Sequence, residues 1–478
     1  MINLLIILNI FFISFTDKPE KSAPALSPRA LEQRTKWNIP TDQMDYPVSP
    51  MYLNQLRKKG VKVYHVSRWF NGATCEMEDS LANEVKKLSF VTSVEMTRDS
   101  SEPIYAPHRR KSKWFYEQIN ELPLFTDDQL SVYNLKPLHD AGFEGQGILM
   151  TVCDGGFSNA NTMTCFRAKE LELGHFDFTD DKDDFYGHEG AHGTECLSTI
   201  SGLTDGYYGA ATQAQYYLMR SEESQHESPK EMDNLVAALE KADSLGVNVF
   251  SVSLGYAKFD NAAWTLPKSA LDGKSTRASI AATIAARKGM LVCVAAGNEG
   301  DSEWQTISSP ADADSVLTVG AVGIDSIVGG FSSYGPSADG RIKPDVCAVG
   351  VQTTLINPSG VIVQSNGTSF ATPLIAGLAA SLWSALPEEN AMQIRDRIIR
   401  SSDRYAKTDP STPNPYSNRY GYGIPDAWKA YQLGREESTE TLNTGDRQPQ
   451  AQKFLRNGQL FILRHGQTYD PMGRIIRE

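Results

Sequence analysis

Residues 366–386 read NGTSFATPLIAGLAASLWSAL. Apolar residues run nearly all the way round a 3.6-residue period from Thr368 on, so the segment is expected to be a helix buried on every side. Ser369 opens that helix. In isolation such a serine is an N-cap. A buried helix N-terminus, however, also presents a hydroxyl and turns the serine's own N–H toward a developing negative charge. Pro373 is expected to be tolerated as a first-turn proline.

Upstream of this helix, strand-like apolar runs alternate with helical segments. The runs are GILMTVCD (147–154), AQYYLMR (214–220), VNVFSVSLG (247–255), MLVCVAAG (290–297) and SVLTVGAV (315–322). Helical patterns lie between them, after His192 and over 231–246 and 278–289. This alternation predicts an α/β fold, a mostly parallel sheet covered by helices on both faces. Active sites of such folds gather at the carboxyl ends of the strands.

Three further residues stand where chemistry would need them. Asp154 ends an apolar run and is followed by Gly155 and Gly156, so its carboxylate sits at a sharp turn beyond a strand. An isolated Asp-Gly is otherwise a turn. His192 begins a helical pattern, HGTECLSTI, with Gly193 giving backbone freedom; in isolation it reads as a loop histidine. Asn298 follows the run at 290–297, where its carboxamide can donate to an oxyanion together with the Ser369 N–H. The alternative is a turn asparagine before glycine.

The chain has 478 residues, enough for two or three domains. Hydrophobic residues make up 40% and charged residues 22%, the balance of a soluble globular protein with a large core. A formal net charge of -12 repels phosphate backbones and argues against nucleic acid as a partner. Of the six cysteines, Cys153, Cys293 and Cys347 lie in apolar runs and read as core residues. Cys75 and Cys165 are free to pair or not as far as sequence goes.

Residues 1–16, almost wholly apolar from Met1 to Phe15, read as a signal-peptide-like segment too short to span a membrane. Residues 17–128 form an N-terminal unit with linkers. Inside it a strand at 61–67, a helix at 80–88 and a strand at 90–96 suggest a small α+β body, and 98–128 an exposed linker. Residues 129–434 carry the α/β pattern, 435–452 read as a polar linker, and 453–478 as a hairpin-like tail turning at Asn457-Gly458.

Taken together and in order, Asp154, His192-Gly193-Thr194, Ala296-Gly297-Asn298 and Gly367-Thr368-Ser369-Phe370-Ala371-Thr372-Pro373 resemble the motifs of the subtilase family of serine peptidases. The resemblance covers roughly residues 130–434. It implies an Asp154–His192–Ser369 triad, Asn298 as oxyanion donor, and Ser253, Leu254, Gly255, Ala296 and Gly297 as substrate-binding positions. It implies protein or peptide substrates and an acyl-enzyme that needs no cofactor. It allows structural calcium without indicating ligands. It makes the unit before 128 resemble the family's pro-region, the alternative being an accessory domain that stays attached. The signal-like N-terminus and the tail point to a secreted or cell-surface chain with no transmembrane span when mature; the oligomeric state is open, with a monomer expected. The tail resembles sorting or attachment tails of secreted Bacteroidetes proteins. Cys196, four residues after His192, resembles the thiol of mercury-sensitive subtilases of the proteinase K type. Three positions depart from the usual pattern: Gly155 after Asp154, Glu195 where His is common, and Phe370 where Met is common.

Two other readings compete. A catalytically inactive homologue would keep the cleft and lose turnover, though no triad residue is missing. His188-Glu189-Gly190-Ala191-His192 fits the zinc signature H-E-x-x-H, which needs a helix running through it. Gly187, Gly190 and Gly193 oppose that helix. The acidic run Asp180, Asp181, Asp183 and Asp184 lacks a calcium-loop pattern and reads as solvated.

Overall fold

The apolar runs assemble into one seven-stranded parallel sheet. The structure is a computed structural model. It describes residues 8–20, 22–101, 126–166, 171–179, 184–187, 190–223, 226–411, 417–445, 452–456, 459–464 and 467–469. The strand order is Val346–Val349, Leu317–Val322, Leu291–Ala295, Val249–Val252, Leu149–Asp154, Gln215–Arg220 and Glu172–Asp177. The central strands are buried at every position, which is why they read as unbroken apolar runs and not as alternations.

The helices Ala191–Ser201 and Thr368–Ala385 pack on one side of this sheet, and Lys230–Leu245 and Arg277–Arg287 on the other. The Thr368–Ala385 helix is buried from Thr368 through Trp383, as its all-round apolar pattern requires. The edge strand Glu172–Asp177 was not anticipated. Its inward and outward residues alternate only weakly, and Gly174 interrupts the register.

The N-terminal unit is larger than its sequence pattern suggested. Four antiparallel strands lie in the order Lys62–Ser67, Gly72–Met77, Asn9–Phe15, Val91–Arg98. With the helices Pro50–Lys58 and Asp79–Val85 this is a β-α-β-β-α-β arrangement. The signal-like reading of residues 1–16 is therefore corrected over Asn9–Phe15, which forms an inner strand of the sheet. Phe11, Ile13 and Phe15 face the unit's own core. Ile10 and Phe12, on the other face, are buried as well, and Arg277 lies 4.7 Å over the Phe12 ring. A strand buried on both faces has the same apolar texture as a signal h-region. Residues 1–7 lie outside the described residues.

The polar stretch that follows this strand, expected as part of the linkers of the N-terminal unit, also carries secondary structure. It contains the helix Pro28–Lys36, capped by Ser27, and reaches across the catalytic unit. Arg29 donates to Gly246 O and Asn248 Oδ1, and Trp37 packs 5.5 Å from Trp383. The sheet of the N-terminal unit covers the helix Lys230–Leu245. Ion pairs run along that contact, buried except at Glu95. Arg68 pairs with Asp243 at 2.5 Å, Arg34 joins Asp45 at 3.2 Å and Asp243 at 2.7 Å, and Arg277 bridges Glu95 at 2.6 Å and Asp233 at 2.8 Å.

Residues 431–478 form a second unit. The helix Ala427–Gly445 runs into it, so the segment expected as a polar linker from 435 is helical through Gly445. Beyond it Gln452–Arg456, Gln459–Arg464 and Gln467–Tyr469 make a three-stranded antiparallel sheet. Arg456 pairs with Gln459 across the expected turn; Asn457 and Gly458 themselves lie outside the described residues. No described helix is long and apolar enough to cross a membrane.

Candidate active site

Asp154 is the last residue of its strand, and no part of it is exposed. Its Oδ1 accepts the N–H of Gly155 at 2.7 Å, which orients the carboxylate. His192 is the second residue of the helix Ala191–Ser201 and is also buried. Its Nδ1 lies 2.9 Å from both carboxylate oxygens of Asp154. A carboxylate only accepts, so Nδ1–H is the donor, and in the neutral ring Nε2 is left as the acceptor. The Phe370 ring packs 5.5 Å from the imidazole.

Gly193 makes this pairing sterically feasible, for a reason other than the backbone freedom read from sequence. It sits in an ordinary helical turn. A Cβ there would stand 2.2 Å from Gly156 O and 2.9 Å from Asp154 Cβ, so any side chain would push the His192 helix off the Asp154 turn.

Ser369 is the second residue of its helix and is buried. Its Oγ is 3.4 Å from Ser253 O. Its carbonyl accepts from Ser253 Oγ at 2.7 Å and from Cys196 Sγ at 3.3 Å. Pro373 explains why outside donors are needed. It is the sixth residue of the helix Thr368–Ala385 and not a first-turn proline, so the N–H that would bond Ser369 O is missing.

Asn298 Oδ1 accepts from Thr368 N at 2.9 Å and Thr368 Oγ1 at 3.0 Å. With the oxygen so committed, the carboxamide N–H₂ is the group that can donate elsewhere. A cleft opens here, lined by Ser253, Leu254, Gly255, Gly297, Asn298 and Ser369, together with Ala295, Glu299, Ser308 and Thr368. Ala296 is fully buried and lies outside this lining. Glu299 and Ser308 were not anticipated. The only sequence signal was their nearness to Asn298 and to a proline turn.

Cys196 Sγ lies 3.8 Å from His192 Nδ1 and 4.0 Å from Nε2, so the i, i+4 expectation holds. Burial pushes its thiol well above the ordinary range, with the nearby Asp154 charge adding to the effect. Glu195, on the same helix, is also buried. Loss of solvent raises its carboxyl to about 7, opposed by His192 and reinforced by Asp154.

Two sets of side chains converge closely enough to hold a cation among the described residues. One is Asp154, His192 and Cys196; the other is Glu222, Glu227 and Glu231. In the second, Glu222 already accepts from Tyr256 OH at 2.7 Å. The helix carrying His192 begins at Ala191, so it does not extend through the zinc-like motif. His188 and Glu189 lie outside the described residues, as do Asp180, Asp181 and Asp183. Cys75 and Cys165 are both free and buried, and do not pair.

Comparison with known proteins agrees with this geometry. Residues 145–423 match the Subtilase family, and residues 10–114 match the Peptidase S8 propeptide domain of Bacteroidota. The chain is 27% identical over 346 residues to Subtilisin NAT from Bacillus subtilis subsp. natto, covering 72% of this chain and 78% of that protein. It is 30% identical over 262 residues to Subtilisin DY from Bacillus licheniformis, covering 54% of this chain and 84% of that protein. Over 160 residues it is 34% identical to Serine protease AprX from Bacillus subtilis, covering 29% and 34% of the two chains. A match spanning more than half of the chain, over the sheet that carries the Asp154–His192 pair, means that this protein belongs to the subtilase family of subtilisin-type serine endopeptidases.

Proposed function

We propose that this chain hydrolyses peptide bonds through an acyl-enzyme on Ser369. Ser369 Oγ attacks the scissile carbonyl while His192 Nε2 takes its proton. His192 then returns that proton to the leaving amine as the C–N bond breaks, and the cycle repeats with water to release the acid. Asp154 holds the imidazole in the productive tautomer and stabilises the imidazolium. The Asn298 carboxamide and the Ser369 N–H, at the start of a buried helix, stabilise the tetrahedral oxyanion. The observation that carries this reading is the two-oxygen contact of Asp154 with His192 Nδ1, which turns Nε2 into the available base.

The same reading makes residues 10–114 a pro-region removed after folding, and places the mature enzyme outside the cell acting on protein substrates. The match to a propeptide domain supports it.

A fluorophosphonate probe should label wild-type protein at Ser369 and leave Ser369→Ala unlabelled. Ser369→Ala should lose about 10⁶ in kcat, the scale known for subtilisin itself. Asn298→Ala should lose roughly 10² to 10³, because the second oxyanion donor stays, again on the subtilisin scale. Full activity in the Ser369 variant rules the assignment out.

A further inference from the structure

The polar insert that follows the strand Asn9–Phe15 leaves the body of the N-terminal unit and grips the catalytic unit at one pole. The Ser27 N–H donates to Ser244 O at 2.8 Å. Arg29 donates to Gly246 O at 3.0 Å, Gly147 O at 3.2 Å and Asn248 Oδ1 at 2.7 Å, and Gln33 donates to Gly246 O at 3.0 Å. Lys36 donates to Pro387 O at 2.8 Å, beside the contact of Trp37 with Trp383. Two bare glycines admit the insert. A Cβ at Gly246 would stand 2.8 Å from Ala30 N, and one at Gly289 would stand 2.8 Å from Ile39 Cδ1.

These partners lie where helices end and strands begin. Gly246, Gly289 and Pro387 follow the helices Lys230–Leu245, Arg277–Arg287 and Thr368–Ala385. Gly147 and Asn248 precede the strands Leu149–Asp154 and Val249–Val252. Asp154 and Ser369 stand at the opposite ends of these elements. At about 1.5 Å per residue, Trp383 lies about 21 Å along its helix from Ser369. The insert thus binds at the pole away from the cleft, where it can decide whether the N-terminal unit stays bound.

The charges across this contact interlock. Asp243 of the catalytic unit receives Arg34 at 2.7 Å and Arg68 at 2.5 Å. Lys288, also of the catalytic unit, receives Asp42 and Asp45 at 2.8 Å each. An anion and a cation on each side fix one register, because a slip sets like charges together. Arg34, Asp45 and Asp243 are buried, so removal of one leaves the others uncompensated away from water.

We propose that residues 22–49 are a clasp that retains the N-terminal unit on the catalytic unit, through the helix ends opposite Ser369, once the chain between the two is cut. The clasp goes beyond the pro-region reading: it assigns retention to this pole and leaves the cleft to other contacts. Cutting the connection then yields a two-chain complex whose lifetime is set by Arg29, Arg34 and Lys288.

The test uses the full-length Ser369→Ala chain with the recognition sequence of a site-specific protease inserted between residues 101 and 126. The added protease makes the cut in an inactive chain, so the result depends neither on self-maturation nor on the nucleophile. After cutting, the two fragments should co-elute in gel filtration. Arg34→Ala should release the N-terminal fragment about 30-fold faster, the scale of breaking a buried charge pair. Arg29→Ala is the second variant, since its hydrogen-bond partners lie in the catalytic unit and the fold of the N-terminal unit does not depend on it. It should speed release by about 10-fold. Fragments that separate on cutting overturn the proposal. So does release at the parent rate from both Arg29→Ala and Lys288→Ala.

Discussion

Ser253 and Ser369 are joined twice: the Ser253 hydroxyl donates to Ser369 O at 2.7 Å, and the Ser369 hydroxyl lies 3.4 Å from Ser253 O. The first bond exists because Pro373 has no N–H to offer the helix. A strand end and a helix start are thereby tied together at the point where the proposed nucleophile must be held. Ser253→Ala would leave the Ser369 carbonyl with only the weak donor Cys196 Sγ. The expected loss is about 1–2 kcal/mol of unfolding free energy, read from denaturant titration of the inactive Ser369→Ala background to avoid self-digestion. An unchanged midpoint in the double variant would show that the bond contributes nothing.

The contact of Cys196 with both ring nitrogens of His192 predicts sensitivity to mercurials. A mercury adduct on Sγ cannot fit beside the imidazole, so activity should fall as Cys196 is labelled. Cys196→Ala should stay active and become less sensitive. The thiol is not a nucleophile here, since its burial keeps it protonated. Full activity of protein whose Cys196 carries mercury, shown by mass spectrometry, would rule the proximity effect out.

Glu195 predicts a specific pH dependence of stability. Its carboxyl titrates at about 7 in the folded chain against 4.5 without the fold, chiefly because burial disfavours the charge. Between those values the folded chain keeps a proton that the unfolded chain has lost. Stability therefore declines as pH rises through this window, and the full cost, about 3 kcal/mol, stands above it. Glu195→Gln should match wild type near pH 4 and melt at higher temperature at pH 8. Equal melting at both pH values would contradict the buried-acid account.

The inner strand Asn9–Phe15 predicts that the apparent leader is indispensable for folding. Ile13→Asp puts a charge into the core of the N-terminal unit, where Ile13 is fully buried, and charges are rarely accommodated there without a partner. The yield of active enzyme should collapse. In parallel, Ser369→Ala should retain residues that wild type sheds, if maturation is autocatalytic, as N-terminal sequencing of both would reveal. Wild-type yields from Ile13→Asp would sink the strand assignment.

The catalytic unit was legible because its signals are local. Asp154 ends an apolar run, His192 and Ser369 each open a helix, and a fully buried strand or helix shows its apolar run in any window. The N-terminal unit was only half legible. Gly72–Met77 is a short run with a glutamate and a cysteine, too mixed to stand out, and the Ser-capped helix Pro28–Lys36 lies in a polar stretch whose buried partners come from residues 45 and 243.

Sequence by itself determined which residue types stand at the ends of which elements: a carboxylate after a strand, and an imidazole and a hydroxyl at helix starts. Only the tertiary structure decided what those ends face. It brought Asp154 within 2.9 Å of His192 across 38 residues, set Cys196 against the imidazole, and placed Ser308 between Gly255 and Gly297. It also turned Asn9–Phe15 from a signal-like run into an inner strand. The physical reason is one of range. Periodicity and capping are set by neighbours a few residues away, whereas burial on a second face, or the meeting of side chains from distant elements, depends on segments that only packing brings together.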